Sequence, residues 1–172
     1  MKHGIFPVSK LVAGASYEID TDKARLDRAL IHRFLARSHW AKGIPRDVLE
    51  RAIEHSVAFG LYRDGRQVGF ARIVTDHATV AYLADVFVLS HECGKGLGRW
   101  LVETILDHPE LQGLRRWLLG TRDAQGLYRR CGFREPPPPF AFMERLDAGV
   151  YERPSAGRPA GKAAAASVQA MA

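Results

Sequence analysis

Two cysteines in 172 residues, Cys93 and Cys131, are too few for a disulfide framework, and they form no Cys-x-x-Cys unit. No histidine cluster at zinc-ligand spacing accompanies them, so no metal is expected. Thiols this sparse fit a reducing cytoplasm. No apolar run approaches the roughly 20 residues that cross a bilayer, so no membrane partner is expected. Residues 1–7 carry one early lysine without a sustained apolar stretch after it, so no secretory signal is expected either. Long basic helices are absent as well. The net charge of +6 is scattered, in pairs such as Arg115-Arg116 and Arg129-Arg130, which ranks a polyanionic small molecule above nucleic acid as a partner. No internal repeat is visible.

What remains is ordinary globular material, 47% hydrophobic and 26% charged, in a chain long enough for one domain with a real core. Residues 1–16 have weak periodicity and read as a loose leader, and 17–19 as a short strand. Asp22 looks like the cap of a helix carrying Leu26, Leu30, Ile31, Phe34 and Leu35. Pro45 suits the first turn of a second helix through Leu49 and Ile53. Residues 57–62 and 67–75 read as strands joined at Asp64-Gly65, a strong hairpin signal. Residues 80–89 form a long apolar strand broken only by Asp85, which predicts burial on both faces. A helix with Trp100, Leu101, Ile105 and Leu106 follows, then a strand at 116–119. Asp123 is placed to cap a short helix through Tyr128, and 140–146 reads as a last strand. From 147 to 172 the chain is rich in Ala, Gly and Pro and reads as a disordered tail, which leaves 17–146 as the folded domain. Strand, helix and strand in succession demand a parallel crossover. The fold class is therefore α/β, with one mixed and mostly antiparallel sheet.

Between the apolar strand and its helix lies Cys93-Gly94-Lys95-Gly96-Leu97-Gly98-Arg99. Missing side chains let an anion approach the backbone, the first helical N–H groups lack internal partners, and the helix dipole adds positive potential. Lys95 and Arg99 add formal charge. A tight turn that uses glycine only for its backbone freedom is the plainer alternative. The Walker pattern is absent, and Arg99 stands where a dinucleotide loop needs its third glycine.

The spacing of Gly96 and Gly98 after Cys93 resembles the acetyl-CoA loop of the GNAT superfamily of N-acetyltransferases, Gln/Arg-x-x-Gly-x-Gly/Ala. So does the stretch 121–133, where a Tyr on a short helix precedes Gly132-Phe133. The resemblance covers about residues 17–146, and the chain looks most similar to small stand-alone bacterial members with unassigned acceptors. It departs at Cys93, where the superfamily usually has Arg or Gln.

The resemblance implies direct attack of an amine, from a small molecule or a peptide, on acetyl-CoA as co-substrate, without metal. It implies a V-shaped splay between two parallel central strands, with Val86, Phe87 and Val88 lining the pantetheine arm and residues Cys93, Gly94, Lys95, Gly96, Leu97, Gly98 and Arg99 cradling the pyrophosphate. Tyr128 is the candidate proton donor to the leaving thiolate; the alternative is a core aromatic. Asp85, a lone acid in an apolar strand, is a candidate base, or else a carboxylate bonded to nearby backbone. His77 and Asp123 are weaker candidates. The acceptor site would draw on the first two helices and their loop, with Trp40 as one aromatic. A homodimer is a habit of the superfamily, and the sequence leaves oligomeric state open. A non-catalytic CoA-binding module and a nucleotide-binding oxidoreductase are the rival readings.

Overall fold

Six strands, four α-helices and three single 3-10 turns account for the regular structure of residues 6–153, the part of the chain that this computed structural model describes. The strands are β1 (Val8–Val12), β2 (Ala15–Asp20), β3 (Val57–Arg63), β4 (Arg66–Thr75), β5 (Val80–Val88) and β6 (Arg116–Leu118). They lie in one sheet in sequence order. The first four pairings are antiparallel, and only β5 and β6 run parallel. Helices α1 (Arg28–Leu35) and α2 (Arg46–Glu54) cover one face, where Ile31, Leu35, Leu49 and Ile53 pack on Ala58, Phe70 and Phe87. Helix α3 (Leu97–Leu106) covers the other through Leu97, Leu101, Val102 and Ile105, and α4 (Gln125–Arg130) lies beside it. Truncating a fully buried residue such as Leu101 to alanine would cost about 2–5 kcal/mol.

Several expectations are corrected. The loose leader holds strand β1 from Val8 onward, joined to β2 by a tight turn in which Ala13 and Gly14 both have positive φ. Alanine gives no signal for such a turn, whereas Asp64-Gly65, with the same backbone signs, is legible. Asp22 caps only a single 3-10 turn, and Asp27 caps α1 by accepting from the Leu30 N–H. Residues 140–146 form no strand; Phe142, Met143 and Leu146 are exposed, and β6 is left at the sheet's edge. Of the expected tail, 147–153 form turns with an Arg153–Asp147 ion pair, and the remainder lies outside the described residues.

Strand β5 is not buried on both faces along its length, since Tyr82 is exposed. Its two halves instead face opposite layers. Ala81 and Leu83 pack on the α3 side, yet Phe87, of the same parity, packs on the α1–α2 side. An extra residue makes the switch: Phe70 pairs with Phe87 and Arg72 with Ala84, so two steps of β4 oppose three of β5. Asp85 sits in this bulge with φ of 54°, a conformation that aspartate tolerates better than most side chains. Across the strand pair, Gly69 is required, because a Cβ there would lie 2.8 Å from the Phe87 carbonyl oxygen.

Candidate active site

The parallel pair is short. Val80, Ala81 and Tyr82 pair with Arg116, Trp117 and Leu118, and beyond Tyr82 strand β5 continues without β6 beside it. Val86, Phe87 and Val88 therefore run along a cleft that opens toward the glycine loop. Phe87 turns its ring away, stacked on Phe34 of α1 with centroids 3.8 Å apart, so only its backbone is offered to the cleft. That stack adds roughly 0.5–1.5 kcal/mol beyond burial.

At the end of β5 the chain makes one 3-10 turn (Ser90–Glu92) and enters the loop. Gly94 and Gly96 both adopt positive φ, which by itself accounts for glycine there. A Cβ at either would meet nothing within 4 Å, so the space over the loop is open. Gly96 caps α3, and the first helical bond runs from the Trp100 N–H to the Gly96 carbonyl. The N–H groups of Leu97, Gly98 and Arg99 thus have no carbonyl of the helix to bond, which is the arrangement that binds phosphate oxygens. Gly98 sits where α3 meets α4, since a Cβ there would be 3.4 Å from Leu127.

The two loop cations are already paired. Lys95 Nζ donates to Glu92 Oε2 at 2.5 Å and to the Tyr17 hydroxyl at 3.2 Å, and Arg99 pairs with Glu103 at 2.7 Å. Glu92 is the centre of the first group. It is 1% exposed and also accepts from the Tyr17 hydroxyl at 2.6 Å and from Arg63 at 2.7 Å. The Lys95 hydrogen bond, then that of Tyr17, holds its carboxyl down at about 2. Sequence reasoning missed Glu92, Tyr17 and Arg63, because nothing local marks a surface-type acid as the buried anchor of a loop. Cys93 is exposed, with Sγ 3.7 Å from the Val88 carbonyl oxygen and 3.6 Å from that of Leu89.

Tyr128 lies on α4, partly buried, against Phe133 in an edge-on contact with centroids 5.9 Å apart. Burial, and next the neighbouring Cys131, pushes its hydroxyl above the ordinary value, so it stays protonated at neutral pH. Asp123 does not cap this helix. It is exposed and pairs loosely with Arg122, while the Thr121 hydroxyl accepts from the Ala124 N–H.

Both oxygens of Asp85 are engaged by side chains, not by backbone. Arg72 Nε donates to Oδ2 at 2.5 Å, and the Trp40 indole donates to Oδ1 at 3.2 Å. Trp40 and Phe34 help to line an open cavity of about 380 Å³ between the end of α1 and Leu89. His77 is not part of this region; it lines a polar cavity with His55 and His108.

The family model for acetyltransferases (GNAT) matches residues 30–133. A protein of Gibberella zeae described as an acetyltransferase, FG08082, is 31% identical over 163 residues, covering 81% of this chain and 91% of the relative. The crystal structure of a Xanthomonas campestris pv. campestris protein assigned to the GNAT family is 49% identical, with a TM-score of 0.75, and the match covers 80% of this chain and 97% of that one. The aminoglycoside N-acetyltransferase AAC(6')-Iy, solved in complex with CoA, shares the fold at 21% identity and a TM-score of 0.59, over 80% of this chain and 100% of its own.

Proposed function

The chain belongs to the acetyltransferase (GNAT) family, and from that premise we propose that it transfers the acetyl group of acetyl-CoA directly to an amine of a small molecule or peptide. The observation that carries this reading is the opening of α3 beside β5, past the point where β6 has parted. The open space over Gly94 and Gly96 and the free amides of Leu97, Gly98 and Arg99 suit a pyrophosphate. The backbone of Val86, Phe87 and Val88 would hold the pantetheine arm. Cys93 contributes backbone, and lacks the side-chain N–H donors of the family's usual Arg or Gln. Lys95 works indirectly, since its bond to Glu92 fixes the loop's shape.

Acetyl-CoA supplies a thioester whose C–S bond breaks, with its electron pair passing to sulfur, as the amine nitrogen bonds to the acetyl carbon. Two protons then move: one leaves the amine and one reaches the thiolate. Tyr128 is the proposed donor to sulfur, and its raised pKa keeps the donor form available. Asp85 is engaged through both oxygens, so its assigned role is to fix Trp40 and the bulge, while water takes the amine proton. The two free thiols fit a cytoplasmic setting.

Calorimetric titration with acetyl-CoA, followed by CoA release across a panel of amines, tests the reading. Binding of acetyl-CoA with amine-dependent release supports it. Absence of acetyl-CoA binding removes it.

A further inference from the structure

The family reading leaves the acceptor open, and the cavity beside Asp85 carries information about it. Two of its lining side chains are guanidinium groups, Arg33 in the last turn of α1 and Arg37 in the turn just after it. Among the described residues neither has a carboxylate partner, although thirteen ion pairs engage other charged side chains. Asp85, bonded to the Trp40 indole of the cavity wall, is itself paired with Arg72. The cavity therefore presents two uncompensated positive charges beside the Phe34 ring and the Trp40 indole. It also adjoins the proposed reaction cleft by two routes. Phe34 stacks on Phe87 of β5, and Trp40 bonds to Asp85 in the bulge. A cation near a helix C-terminus gains from the helix dipole, but that gain does not require aromatic walls or their contacts with β5.

Resting on the acetyltransferase reading, we propose that the acceptor is an amine bearing an anionic group, a carboxylate or a phosphate ester, gripped by Arg33 and Arg37 while its apolar part lies against Phe34 and Trp40. Guanidinium forks bind both anions in planar, charge-assisted pairs. The grip leaves the amine at the Asp85 end, where Trp40 borders the cleft.

Matched amines, compared per unprotonated amine, separate the two anions and isolate the charge: L-phenylalanine against L-phenylalaninamide, and O-phosphoethanolamine against ethanolamine. At least one anionic member should release CoA with a kcat/KM tenfold or more above its neutral counterpart. In the Arg33→Ala/Arg37→Ala double variant that ratio should fall to within about twofold of unity, with the acetyl-CoA Kd within about threefold of wild type. A second readout needs no turnover. Tryptophan fluorescence of the CoA-loaded protein should report tighter binding of N-acetyl-L-phenylalanine than of N-acetyl-L-phenylalaninamide, or of O-phosphoethanolamine than of ethanolamine, and the difference should vanish in the double variant. Neutral members equal to or better than the anionic ones in both readouts overturn the proposal. So does a preference that survives loss of both arginines, or a loss confined to acetyl-CoA affinity, which would give the arginines to the co-substrate. Amine-dependent CoA release without anion preference defeats this inference alone; a wild-type protein that does not bind acetyl-CoA defeats the underlying reading.

Discussion

The Lys95 ammonium lies 2.5 Å from Glu92 Oε2, so the one lysine of the glycine loop braces the loop from within. Tyr17 and Arg63 bond to the same carboxylate and tie it to β2 and β3. A loop whose amides must point at a ligand gains from such support, because its preorganisation is fixed by the sheet.

Replacing this carboxylate tests the brace. Glu92→Gln should lower stability by roughly 1.5–3 kcal/mol, the range for hydrogen bonds to a charged group. The folded carboxyl titrates at about 2 against an ordinary 4.5. Its contribution is therefore complete above about 4.5 and is lost as pH falls toward 2. Denaturant melts from pH 6 to pH 2 should show a steep acid loss in the wild type and a shallower one in the variant. Equal slopes would remove Glu92 from the account.

Gly96→Asp places a carboxylate at the α3 cap, in open space and in a left-handed conformation that aspartate can adopt. The fold should persist by circular dichroism while acetyl-CoA affinity drops at least tenfold by calorimetry. A folded variant with unchanged affinity would move the pyrophosphate site elsewhere.

Tyr128→Phe keeps the contact with Phe133 and removes only the hydroxyl. General-acid contributions run to about 10²–10⁴-fold, so kcat should fall at least roughly tenfold with little change in the acetyl-CoA Kd. Because the wild-type hydroxyl titrates above its ordinary value of 10.0, activity should decline only on the alkaline side of that point, and the variant should lack this limb. Wild-type turnover in the variant would leave Tyr128 as packing.

Asp85→Asn preserves the tolerated backbone and the Trp40 bond but discards the charge that faces Arg72. If Asp85 fixes Trp40 and water takes the proton, kcat and acceptor KM should both stay within about tenfold of wild type, because the indole bond survives. A kcat loss beyond a hundredfold with KM unchanged would restore Asp85 as the base.

What was legible in the sequence was local. Asp64-Gly65 announces its hairpin, Pro45 stands at the start of α2, and Gly94 and Gly96 fall between β5 and α3, with Gly98 in the first turn of the helix. Illegible features depend on distant partners. Glu92 and Tyr17 are 75 residues apart, and Trp40 and Asp85 are 45 apart. The bulge is equally hidden, since a run of apolar residues shows its alternation but not the extra residue that reverses it. Residues 140–146 mislead in the opposite sense. Their apolar residues fit a strand, but they do not add to the free edge of β6, and Phe142, Met143 and Leu146 stay exposed.

The brevity of the β5–β6 pairing has a consequence for how the domain breathes. Past Tyr82, β5 is bonded on one flank only, and the backbone groups of its other flank must be satisfied by water. Amides on that flank should exchange with deuterium early in the free protein. A ligand lying in the cleft would stand in for the absent strand and slow them. Occupancy would then be written into exchange rates along Leu83–Val88 before any product forms, and the melting temperature would climb with ligand concentration.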